Sequence, residues 1–208
     1  MTTITFAAST FPPLALGFFG LGTGYLIWGP HELFGFPPRD EPVDRALGTW
    51  GIWMPGFCQL LTGLILFVGL TWFQVFTDDK PLYMAALAFS AYGIHWFSLG
   101  WNRYRGNDTR PNAGMSVAFF LISVLGLIVF FHAGGWPVGL LFIGLALVYV
   151  CDFFLAFGST LFGRLLGLVH VVTGLWLMYL TFAFAAVLVA VAIYFLHRNR
   201  AAFARADS

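Results

Sequence analysis

Apolar residues run along this chain in six long blocks, broken by short polar connections. The blocks are Pro13–Trp28, Trp50–Phe76, Pro81–Trp101, Gly114–His132, Trp136–Phe157 and Phe162–Leu196. No Lys, Arg, Asp or Glu occurs between Arg110 and Asp152, or between Arg164 and Arg198. Each gap can hold a spanning helix, which needs about 20 predominantly apolar residues. Trp50, Trp101 and Trp136 sit at block ends, where amphipathic rings suit the headgroup level, and the connections PHELFGFPPRDEPVDR, TDDKP and NRYRGNDTRPN gather the charge. The pattern predicts an all-α membrane protein, one domain over residues 1–208 with six transmembrane helices. The last block would reach about 50 Å as a single helix, against a hydrocarbon core of about 30 Å, so it must tilt, project or break.

Composition points the same way. Of the 208 residues, 60% are hydrophobic and 9% charged, whereas soluble domains carry about 25% charged residues. A net charge of +1 offers no field for nucleic acid. Cys58 and Cys151 lie inside apolar blocks without metal-type spacing and read as small buried hydrophobes, so neither metal nor cofactor is expected. The start of the chain lacks the basic region of a signal peptide, and a multi-pass protein of the cell (inner or plasma) membrane is expected. The signatures G-x-S-x-G, Walker A, H-E-x-x-H and C-x-x-C are missing, which argues against an enzyme. With the termini outside, the inner loops hold Arg39, Arg45, Arg103, Arg105, Arg110 and Arg164; with the termini inside, that side holds Lys80, Arg198, Arg200 and Arg205. The positive-inside rule leans toward termini outside.

Three blocks concentrate unusual residues on one helical face. Gly17, Gly20, Leu21 and Gly24 follow i, i+3, i+4, i+7 spacing, and Gly56, Gln59 and Gly63 set an amide between two glycines. Such faces serve close helix packing or line a path. Tyr92, His95, Trp96 and Leu99 repeat the spacing in the third block and carry most of its polarity. Asp152 is an ionisable group at depth, a functional candidate by default, with His170 and Thr173 of the last block as possible partners. No Lys or Arg lies deep in any block, which favours a neutral solute or a weak acid able to take a proton.

These faces resemble those of the acetate uptake transporter family, membrane proteins associated with acetate and succinate passage. Gly51-Ile-Trp-Met-Pro-Gly-Phe-Cys-Gln-Leu-Leu-Thr-Gly is similar to the family's second-helix pattern, in which a Gly and a Gln are followed four residues on by Gly. Ala88-Phe-Ser-Ala-Tyr-Gly-Ile-His-Trp resembles its third-helix signature Ala-Phe-Ser/Thr-Ser-Tyr-Gly-x-Phe-Trp, and Pro111-Asn-Ala resembles the Pro-Asn-Ala before its fourth helix. The family's Asn-Pro-Ala-Pro-Leu-Gly appears as Pro12-Pro-Leu-Ala-Leu-Gly17 without the Asn, His95 replaces the usual Phe, an insertion falls around Leu70–Lys80, and the acidic stretch after the last helix is absent. The resemblance implies a six-helix protomer with its own pore, a homo-hexamer, and an apolar constriction whose matching positions are Leu21, Tyr92 and, by ungapped count, Leu147. A small organic acid would then pass single file, with Gln59, Tyr92, His95 and Trp96 contacting it in place of water. His95, Asp152 and His170 are candidates for proton coupling, since an imidazole can change charge near neutral pH.

Other readings remain. The urea channel and amide transporter family also has six helices in a hexamer, and Gly100-Trp-Asn together with Arg164 faintly resembles it. A haem-binding redox protein would use two of His95, His132 and His170 as axial ligands, and a structural subunit of a larger complex would need no site.

Overall fold

The structure, a computed structural model, describes residues 13–76 and 80–206, with side chains described to residue 185. Pro12 of the N-terminal motif and Thr77–Asp79 of the expected insertion lie outside the described residues. The described elements are helical: α1 (Leu14–Phe34), α2 (Glu41–Gly51), a π-helical turn (Ile52–Phe57), α3 (Cys58–Thr71), α4 (Lys80–Arg105), α5 (Asn112–His132), α6 (Trp136–Ala156) and α7 (Thr160–Ala206).

Where the expected boundaries fail, a local cause is visible. α1 does not stop at Trp28 but runs through Pro30 to Phe34, closing on Gly35 in the left-handed region with its N–H on the His31 carbonyl at 3.0 Å. Packing carries the helix past the proline: α7 lies so close that a Cβ on Gly167 would stand 2.4 Å from the Leu33 nitrogen. The second block begins earlier than Trp50. Asp40 caps α2 by accepting from the Val43 N–H at 2.8 Å, with Pro42 in the first turn. Pro55 has no N–H to give the preceding turn, and the widened turn there joins α2 to α3 without a break. α4 continues past Trp101 to Arg105, and α7 is one unbroken helix of 47 residues, about 70 Å long. The long last block therefore does not break.

Among the described residues, five stretches are long and apolar enough to cross a membrane: Glu41–Thr71, Lys80–Arg105, Asn112–His132, Trp136–Ala156 and Thr160–Ala185. The chain is a multi-pass membrane protein. α1 is not among the five, because its glycines, Pro30, His31 and Glu32 dilute its apolar content. It lies along α7 and against α3 and the π turn, where its missing side chains become the fit: a Cβ on Gly24 would stand 2.7 Å from Pro55 Cγ. α3 meets α4 as closely, with Gly63 against Ser90. Without water to drive association, such close approach supplies the packing that holds membrane helices together. α5 and α6 form a hairpin across the short Ala133–Gly135 connection.

Candidate functional site

Two cavities lie in sequence along α1. The first, of about 60 Å³, is lined by Leu14, Phe18 and Leu21 of α1, Gln59 of α3, Phe89 and Tyr92 of α4, and Leu141 and Leu145 of α6, among others. Gln59 is 1% exposed, and neither its amide oxygen nor its amide nitrogen has a hydrogen-bond partner. A buried polar group left this way costs about 1–3 kcal/mol; the surface exposed to the cavity is apolar, so the amide lies within the wall rather than open to the space. Tyr92 is already committed. Its hydroxyl lies 2.9 Å from Ser123 Oγ, whose own proton goes to the Phe119 carbonyl at 2.7 Å, so Tyr92 donates to Ser123 and offers the cavity mainly its ring.

One turn further along α4, His95 stands among Phe119, Tyr149 and Trp96 at ring-centroid distances of 4.6, 5.6 and 6.0 Å. It is 7% exposed, and neither ring nitrogen has a hydrogen-bond partner. Tyr92 stacks on Tyr149 at 5.9 Å and 16°, which closes an aromatic belt between the two cavities.

Beyond the belt opens a vestibule of about 480 Å³, lined by residues that include Tyr25, Trp28, Glu32, Arg103, Asp152 and His170. Acidic groups inside it are each held. Glu32 Oε2 and His170 Nδ1 are 2.6 Å apart, and Ser116 Oγ stands 2.7 Å from Asp152 Oδ2 and 2.8 Å from the Asn112 carbonyl. Two acceptors thus meet one Ser116 proton, a conflict that a proton on Asp152 removes. At the mouth Asp44 bridges Arg39 and Arg103 at 3.0 and 2.9 Å, and Arg103 lies over the Trp28 ring at 4.6 Å. A wide chamber carrying ionisable groups thus lies beside a narrow cavity whose exposed surface is apolar.

No family model matches the chain, and no curated protein matches its sequence. Among solved structures, that of the bacterial acetate channel SatP superposes with a TM-score of 0.67 over 83% of this chain and 91% of that chain, at 15% identity. The two chains share a fold. That fold is all-helical.

The structure brings Leu21, Gln59 and Tyr92 to the narrow cavity, and His95, Trp96, Asp152 and His170 to the vestibule. Leu147 is a correction: it is 48% exposed on the outer face of α6, and Leu145, 2% exposed, takes the inward position. Two residues are about 200° of helix rotation, so a count that slips by two places the side chain on the opposite face. Asp152 meets Ser116 rather than His170 or Thr173, and His170 meets Glu32. His132 is exposed at the end of α5 away from the vestibule and does not join His95 and His170. Among the described residues, no group of three or more His, Cys, Asp and Glu stands together for a metal. Sequence reading missed Glu32 and Arg103 because Trp28 and Trp101 marked the block ends. A continued i, i+4 spacing past each tryptophan was the available signal.

Proposed function

We propose that the chain is a membrane channel or transporter, not an enzyme, for acetate and similar short monocarboxylates, with succinate a candidate. It would work in the cell membrane as a single-domain protomer of six spans, α1 included, within a homo-hexamer. The observation that carries the reading is the unpartnered Gln59 amide in the apolar wall beside Leu21, Tyr92 and Leu145. The acid enters by the vestibule and meets His95 and Trp96 at the belt. It then passes the narrow cavity with Gln59 supplying the hydrogen bonds that water gave it. Asp152, His170 with Glu32, and His95 are the groups through which a proton could accompany it. The fold shared with a bacterial acetate channel supports the same reading.

Proteoliposome uptake tests it. Labelled acetate should enter faster through the protein than through empty vesicles, and faster as the outside pH falls. Urea uptake with none for acetate would replace this reading by that of an amide channel, and a Soret band in the purified protein would replace it by a redox protein.

A further inference from the structure

The vestibule mouth holds a carboxylate between two guanidiniums, and that carboxylate belongs to the chain. Asp44 Oδ1 accepts from Arg103 Nε at 2.9 Å and Oδ2 from Arg39 Nε at 3.0 Å. Planar guanidinium donors match carboxylate oxygens in direction and charge, which makes Arg the usual residue for that recognition. Arg103 is also fixed in place. Its side chain is 15% exposed, it lies on the Trp28 ring, and the Trp28 indole N–H donates to the Leu47 carbonyl of α2 at 2.9 Å. A cation immobilised on an aromatic face inside a 480 Å³ chamber is more than a surface ion pair needs.

We infer that Arg103 and Arg39 form a capture site for a free small carboxylate at the vestibule mouth, held in this structure by Asp44 as an internal stand-in. An incoming carboxylate has the chemistry of the Asp44 side chain and displaces it without leaving either arginine unpaired. A tethered competitor makes displacement intramolecular, so the native site binds free solute more weakly than the bare arginine pair would and releases it readily. The route onward is laid out on α4. Arg103, Leu99 and His95 follow i, i+4, i+8 spacing and all line the vestibule, so the unpartnered His95 ring stands about 12 Å further in. Capture rests on the mouth alone. Its consequence for passage rests on the proposed carboxylate path.

The test measures acetate binding to purified protein in phospholipid-free micelles by carbon-13 line broadening, beside acetate uptake in proteoliposomes. Asp44→Asn removes the stand-in and should tighten binding and lower the KM of uptake by about tenfold, the value of one charge-assisted pair. Arg103→Gln should weaken binding on its own and abolish the tightening in the double variant, while Arg103→Lys should fall between. If Asp44→Asn disturbs folding, as judged by melting and elution, Arg39→Gln supplies the second reading and should weaken binding by less than Arg103→Gln. Wild-type binding in both Asp44→Asn and Arg103→Gln overturns the inference and leaves the channel reading intact. Shifted binding with no acetate uptake in any variant keeps the capture site and overturns the channel reading.

Discussion

The two cavities use the same helices and differ in how they treat polarity. In the vestibule the carboxylates are partnered, Glu32 with His170, Asp152 with Ser116, and Asp44 with Arg39 and Arg103, while the His95 ring has no hydrogen-bond partner. In the wall of the narrow cavity the buried Gln59 amide has none. Partnered groups hold the wide chamber in shape, and the unpartnered amide lies beyond it. The aromatic belt of Tyr92, His95, Phe119 and Tyr149 stands between them.

Mutations can break that separation, and the largest effect should come from the vestibule. Glu32→Ala leaves His170 buried without its partner and should cost about 3–5 kcal/mol of stability, read as a lowered melting temperature in micelles. Leu145→Ala should cost about 2–5 kcal/mol and widen the narrow cavity, so larger monocarboxylates should gain uptake relative to acetate. Gln59→Met should do the reverse of a usual core lesion. It should raise stability by about 1–3 kcal/mol by removing an unpaired amide, while acetate uptake falls about tenfold, the loss of a single hydrogen-bonding group. Tyr92→Phe should cost about 1 kcal/mol through the lost bond to Ser123, with uptake changed little because the ring remains. Leu147→Ala should fall within about 0.5 kcal/mol of the native protein with unchanged uptake. A large uptake defect there would return Leu147 to the path.

Much of this was legible in the sequence, unevenly and for physical reasons. The ends of α5 and α6 follow from uncharged apolar runs with turn residues on both sides, and Gln59 between Gly56 and Gly63 announced a polar group on a closely packed face. The spacing of Tyr92 and His95 set them on one side of α4. Their fates did not follow, since the partner that occupies Tyr92 sits on α5 and the absence of one for His95 depends on α5 and α6 together. Glu32 and His170 are 138 positions apart, and nothing local marks either as the other's partner. Tryptophans at apparent block ends hid the last turns of α1 and α4, which carry Glu32 and Arg103 into the vestibule.

The most direct measurement is an experimental structure of the protein soaked in bromoacetate, whose bromine can be located by anomalous scattering. The account predicts a peak in the narrow cavity between Gln59 and Tyr92, lost in Gln59→Met. Bromine found only outside the protomer, with that cavity empty, would contradict it.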